Sequence, residues 1–246
     1  MTRIRLDQLL TERGMARSRA EAQSLIHAGD VELDGTRRLK PGQLVAVDAS
    51  VSLVEKPRWA SRAGVKLEHA LDALGIDPGA QACLDAGAST GGFTDVLLSR
   101  GARIVYAVDV GRAQLIDRLR RDARVVSMEQ TNLRELSALP EPIDLATLDL
   151  SFISLRLVLP AVRNLLADDG RVVALVKPQF EAGRDNVPRG GVVRDPATWE
   201  SVLSDVRRAA ADAGLHAGRT IRSPITGTDG NVEFLVDLRA TEGDSA

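Results

Sequence analysis

Apolar runs of strand length recur along the larger, C-terminal part of this 246-residue chain, and a stretch of helical spacing follows most of them. QACLDAG, RIVYAVDV, RVVSME, IDLATLDL and RVVALVK are the strands; GGFTDVLLSRG, QLIDRLRRD, SLRLVLPAVRNLLADDG and PATWESVLSDVRRAAADAGL are the helices. Runs that are apolar on both faces belong to strands covered on both sides, and the intervening helices return the chain so that successive strands lie parallel. The pattern predicts a three-layer α/β fold, closed by a strand pair from HAGRTIRSP and NVEFLVDLR.

The N-terminal stretch is different. IRLDQLLTERG carries Ile4, Leu6, Leu9 and Leu10 at helical spacing and stops at Gly14. Ser18 with Glu21 forms a capping box before the helix AEAQSLIHAG, which Gly29 closes. VELDG reads as a short strand with an Asp-Gly turn, and QLVAV as its partner. Two helices and a hairpin make a small α+β module over residues 1–56. Residues 57–62, with Pro57 and Trp59, read as a partly anchored linker, and 63–246 as the larger domain.

Charge is distributed unevenly. The net charge of −2 excludes a uniformly basic nucleic-acid binder. Arg3, Arg5, Arg13, Arg17 and Arg19 nevertheless crowd the first module, where guanidinium forks suit phosphate oxygens as well as a solvated helix face. Arg58 and Arg62 near the linker extend the set, as do Arg184 and Arg189 in the stretch PQFEAGRDNVPRGGVVRD. That stretch reads as a loop able to close over a substrate.

The single cysteine, Cys83, lies in an apolar run and reads as a small buried hydrophobe. No Cys/His spacing suggests a metal site, the N-terminus has no apolar signal region, and no run is long enough to span a bilayer. A monomeric, metal-free, cytoplasmic protein is expected.

Ligands of such sheets bind beyond the carboxyl ends of the strands. The first strand ends LDAGASTGGFTD, where glycines permit a tight turn and a close approach to a ligand. GASTGG departs from the dinucleotide spacing G-x-G-x-x-G. With Asp85 before the turn and Asp109 ending the next strand, the region resembles the S-adenosylmethionine site of class I (Rossmann-like) methyltransferases. The resemblance assigns Asp85, Gly87, Ala88, Ser89, Thr90, Gly91, Gly92, Phe93, Asp109 and Asn132 to the cofactor. Glu129, Gln130 and Thr131, beside Asn132, would read the adenine edge.

At the fourth strand tip, Asp149-Leu150-Ser151-Phe152 replaces the Asn/Asp-Pro-Pro-aromatic motif of amino-group methyltransferases. Cys83 sits too early in its strand to serve a cytosine-C5 enzyme. Lys66, Asp149, Lys177 and Glu233 are polar residues in apolar surroundings. They converge if the last strand runs antiparallel. In that order they resemble the tetrad of FtsJ-like ribose 2′-O-methyltransferases. The resemblance implies that one lysine removes the hydroxyl proton while the carboxylates orient both; Lys177 is the candidate base and Lys66 the alternative. Phe152 and Phe180 flank this centre, and core packing is the expected role for both, with stacking of a flipped base the other.

The pattern LDQLL–ERG–ARSRAEAQSLIHAGDVELDG resembles an S4 RNA-binding domain. Together with SRAGVKL, LDAGASTGGFTDVLL, DLSFISL, VKPQFE and GNVEF, it resembles the TlyA, or hemolysin A, family of ribosomal RNA methyltransferases. That implies 2′-O-methylation of cytidine in large-subunit RNA, in one subtype of small-subunit RNA also, and a link to capreomycin susceptibility. The chain ends at Ala246 without the helical extension of the dual-specificity subtype, which makes large-subunit RNA the firmer expectation. The alternatives are a non-catalytic RNA-binding assembly factor and a membrane-active hemolysin.

Overall fold

The computed structural model describes residues 2–54, 58–183 and 186–240. It divides into two compact units, 1–58 and 59–246.

In the first unit β1 (Arg3–Arg5) leads into α1 (Leu6–Glu12), followed by α2 (Arg19–Ala28), β2 (Val31–Leu33), β3 (Leu44–Ala46) and β4 (Val51–Leu53). Leu6, Leu9 and Leu10 of α1 close on Ala22 and Ile26 of α2 and on Val31, Val45 and Val51, giving a small core of its own. Ser18 caps α2 by accepting from the Glu21 amide at 3.2 Å. The Glu21 carboxylate accepts from the Arg17 amide at 2.7 Å rather than from that of Ser18.

The expected hairpin is corrected. β2 pairs with β4 and β3 pairs with β1, each antiparallel. Ile4 lies opposite Val45 in a strand, not on the first helix. The Asp-Gly turn does form, with φ of 47° at Asp34 and 79° at Gly35, but the pairing it starts stops at the single bridge Leu33–Thr36. Strands this short carry too few side chains for periodicity to choose a partner. Val51–Leu53, assigned to no element in the sequence, is likewise strand.

The second unit is a seven-stranded sheet of order β10-β11-β9-β8-β5-β6-β7. Its strands are β5 (Ala82–Ala86), β6 (Ile104–Val108), β7 (Val125–Met128), β8 (Ile143–Leu148), β9 (Leu166–Val176), β10 (His216–Arg222) and β11 (Phe234–Arg239). β5 to β9 are parallel and β11 is antiparallel to β9, with Phe234 opposite Val176. One face packs on α6 (Leu159–Leu165) and α8 (Pro196–Asp212) through Val162, Leu165, Leu203 and Val206. The other packs on α3 (Ala63–Leu74) and α4 (Gly92–Ser99) through Leu67, Leu71, Val96 and Leu97. Helix, sheet and helix form the three expected layers. Trp59 is buried in the second of these cores.

Three element lengths differ from expectation. QLIDRLRRD is helical only over α5 (Asp117–Arg120). The helix read through LADDG ends at Leu165, because Leu166 already pairs with Ile143 in β9, ahead of a register shift. PQFE is a helical turn, α7 (Pro178–Glu181), rather than loop. At Leu166 backbone pairing sets the boundary, and side-chain periodicity does not report it.

Candidate active site

β5 and β8 lie side by side at the centre of the sheet, with later strands added outward on each flank. Such a switch point opens a crevice at the carboxyl ends of the strands. Gly87, just beyond β5, has φ of 85°, and a Cβ there would lie 2.4 Å from the Asp149 carbonyl oxygen. Only glycine lets the two strand ends approach so closely. The loop then continues through Ser89, whose amide donates to Asp109 Oδ2 at 2.8 Å. Asp109 Oδ1 accepts from the Gly111 amide at 2.7 Å, so this carboxylate organises both loops.

Two cavities meet here. The first, about 610 Å³, is lined by Lys66, Asp149, Lys177 and Glu233 together with Ala88, Thr90, Gly92 and Phe93. The second, about 420 Å³, is lined by Asp109, Thr131 and Asn132 with Val110, Gln114 and Leu150. Gly87, Ser89, Asp149, Ser151 and Phe152 border both. A nucleoside joined to an amino-acid tail needs this kind of elongated, two-ended space beside a glycine turn, and the residues present fit it.

The structure brings the four tetrad residues together. Glu233 immediately precedes β11, so the antiparallel run of that strand returns it to the tip of β9 and Lys177. Lys66 Nζ, from the first turn of α3, lies 2.5 Å from Glu233 Oε2. Lys177 Nζ lies 2.7 Å from Asp149 Oδ1 and donates to Ser151 Oγ at 3.0 Å. Both lysines are only 8% exposed and Glu233 3%, so the pairs are largely withdrawn from water. Buried charges this close neutralise each other at the rim of a polar cavity.

Other predicted residues fall elsewhere. Asp85 lies under the loop, fully buried, with Oδ2 accepting from the amide and hydroxyl of Thr94. Its Oδ1 has no hydrogen-bond partner among the described residues. Burial pushes its pKa up to about 7, against the Thr94 bonds and with Asp149 and Asp109 adding repulsion. Gly91 faces Leu115 and Leu119 rather than the cavity. Glu129 is spent on the Ala113 and Gln114 amides, which hold its pKa below the usual range, the Ala113 bond most of all. Cys83 is buried, with its thiol pushed up to about 12 by desolvation. No group of three metal-ligating side chains occurs among the described residues.

Core packing of Phe152 is overturned. It is 90% exposed with φ of 63°, and its ring meets that of the half-buried Phe180 at 5.1 Å.

Sequence reading missed several lining residues, among them Ser61, Gln179 and the turn Thr226–Asp229 between β10 and β11. The glycines and proline of SPITGTDG were the available signal. It also missed Asn231, 1% exposed, which accepts from the Val193 amide and donates to the Gly191 carbonyl, tying the arginine-bearing loop to that turn.

Among the arginines, Arg3, Arg17 and Arg19 are exposed, as are Arg58, Arg62 and Arg189. Arg5 is bound to the buried Asp7, which also accepts from Arg19 and Gln23. Arg13 donates to the Val47 and Ala49 carbonyls and so holds its own module together. Arg62 donates to the Thr226 carbonyl at 3.2 Å. Arg184 lies outside the described residues.

Residues 59–240 match the model of the FtsJ-like methyltransferase family, and residues 4–51 that of the S4 domain. The chain is 46% identical over 248 residues to the 16S/23S rRNA (cytidine-2′-O)-methyltransferase TlyA of Mycobacterium tuberculosis, covering 99% of this chain and 92% of that protein. It is 40% identical to Hemolysin A of Brachyspira hyodysenteriae, over 94% of this chain and 98% of the relative. A solved structure from Streptococcus thermophilus, named as a hemolysin, has a TM-score of 0.75 at 44% identity, covering 99% of this chain and 90% of that one. No described helix is long and apolar enough to cross a membrane. By fold, domain content and relatedness along nearly its whole length, this chain belongs to the TlyA family of FtsJ-like methyltransferases.

Proposed function

We propose that this chain transfers a methyl group from S-adenosylmethionine to the ribose 2′-hydroxyl of a cytidine in ribosomal RNA, with large-subunit RNA the first substrate to test and small-subunit RNA the second. One observation carries the reading. Two lysine–carboxylate pairs line one cavity, and that cavity shares Gly87, Ser89 and Asp149 with a second one suited to the cofactor. The activity named for the Mycobacterium tuberculosis relative supports it.

When bound, the cofactor supplies a sulfonium-activated methyl carbon, so alignment and deprotonation are what the protein must add. Asp149 and Ser151 fix the direction of Lys177 Nζ. Lys177, as the uncharged amine, would take the hydroxyl proton while O2′ bonds to the methyl carbon and the carbon–sulfur bond of the cofactor breaks, its electron pair going to sulfur. Lys66, held by Glu233, donates to O2′ and keeps it in line. Phe152, exposed at the mouth with Phe180 beneath it, offers a face on which the base of an extruded nucleotide stacks. Phosphate contacts come from Arg3, Arg17, Arg19, Arg58, Arg62 and Arg189. Residues 1–56 act as the RNA-binding module, 57–62 as the linker and 63–246 as the methyltransferase domain.

The test is methyl transfer to ribosomal subunits lacking the modification, with 2′-O-methyls mapped on both RNAs. Lys177→Ala abolishes transfer and leaves RNA binding within about twofold, since it removes a group used only in the chemical step. Unchanged transfer by that variant sinks the assignment. Removal of residues 1–56 leaves cofactor binding intact and weakens RNA engagement.

A further inference from the structure

Two strand-end segments frame the proposed centre: 149–155 beyond β8, and 177–181 beyond β9. They are joined at three levels. Lys177 Nζ reaches Asp149 at 2.7 Å and Ser151 at 3.0 Å. The Phe152 and Phe180 rings meet at 5.1 Å, tilted by 48°. On the far side, Glu181 Oε2 accepts from Ser154 Oγ at 2.5 Å and Oε1 from the Leu155 amide at 2.8 Å.

We propose that Glu181 is a positioning residue, clamping the segment that carries Phe152 to α7 so that the exposed ring is held ready for the substrate nucleotide. This rests on the reading of Phe152 as a stacking platform. Phe152 has left-handed backbone and almost no burial, so its own contacts do little to define it. A conformation of that kind persists only where its surroundings over-determine it. The Lys177 contacts hold the segment before Phe152, and the Glu181 contacts hold it two residues after. Phe180 sits on the same helical turn as Glu181, so one carboxylate orients both rings.

Glu181 does not touch the reacting groups. It opens instead on a separate cavity of about 370 Å³, with Ser154 and Arg156. Both its oxygens accept hydrogen bonds from the neighbouring segment, and bonds to a carboxylate are among the stronger ones available. Burial raises its pKa, against the Ser154 and Leu155 bonds. A carboxylate desolvated in this way is not a surface charge that happens to lie near a loop.

The experiment compares wild type, Glu181→Gln, Glu181→Ala, Phe152→Ala and the Glu181→Ala/Phe152→Ala double variant. Hydrogen exchange of the amides at residues 152–155, measured without RNA, reads the clamp itself; Glu181→Ala speeds exchange there by about tenfold or more, and unchanged exchange overturns the proposal. Single-turnover transfer to unmodified large subunits reads the consequence. Glu181→Ala slows it about tenfold with cofactor affinity unchanged, and Glu181→Gln, which keeps one acceptor oxygen, recovers part of the loss. In the Phe152→Ala background the same substitution has little further effect, because both act through one ring. A full, additive loss there overturns the proposal in favour of a general structural role. Accelerated exchange with no transfer by wild type would sink the proposed function and leave the clamp standing.

Discussion

Lys66 and Glu233 lie 167 positions apart in the chain, yet their side chains meet at 2.5 Å inside the protein. The contact joins the first turn of α3 to the start of β11, across the sheet end where Lys177 and Asp149 form the second pair. Each lysine has one carboxylate, and each carboxylate belongs to a different strand end.

Breaking a buried pair by removing one partner strands the other charge. Glu233→Ala therefore destabilises the protein by about 2–4 kcal/mol in chemical denaturation, a reduced cost because the pair borders a cavity. Replacing both partners, Lys66→Met with Glu233→Gln, restores most of that stability but no methyl transfer. Recovery of transfer would show that neither side chain serves the reaction.

Gly87→Ala places a methyl group 2.4 Å from the Asp149 carbonyl oxygen, in a backbone region that alanine also resists. Cofactor affinity measured by calorimetry falls by about tenfold or more, since the shared wall of both cavities must move. Gly190→Ala has left-handed backbone too, but nothing within 4 Å. It leaves that affinity unchanged.

Asp85 has its pKa raised by burial to about 7, from an ordinary value of 3.8. A carboxyl raised on folding favours the native state while both states hold the proton. That contribution is complete below about pH 4 and is lost as pH climbs through the folded value near 7. The loss amounts to roughly 4 kcal/mol. Asp85→Asn removes it, so the stability of the variant is flatter than wild type between about pH 4 and 7 in denaturant titrations. An identical slope in both proteins would contradict the raised pKa.

Arg17 and Arg13 separate RNA contact from architecture. Arg17 has a side chain 96% exposed. Arg17→Ala weakens RNA binding and lowers the salt dependence by about one unit of slope, with no change in melting temperature. Arg13 is bound to two backbone carbonyls. Arg13→Ala costs about 1 kcal/mol of stability in the first unit. Equal effects of the two on RNA binding and on melting would remove the distinction.

Much of this was legible from residue order. Apolar strands alternating with amphipathic helices dictate a covered, parallel sheet, because each face must be buried and each strand must return. The glycines after β5 and the polar residues at strand tips mark the ligand edge, since backbone and charge there have no packing reason to be present. Strand partners in the first unit were not legible: three-residue strands bury too little to specify a register, and the turn after β2 pairs only Leu33 with Thr36. Phe152 was also misplaced, because an aromatic residue predicts burial unless the backbone conformation under it is known. The roles of Arg13, Asp7 and Glu181 depend on which carbonyl, guanidinium or amide lies within hydrogen-bond reach. Local propensity thus determined the layers and the edge at which the site forms. Only the tertiary structure decided which charges meet there, because antiparallel return of the last strand and the approach of α3 bring together groups that no local interaction links.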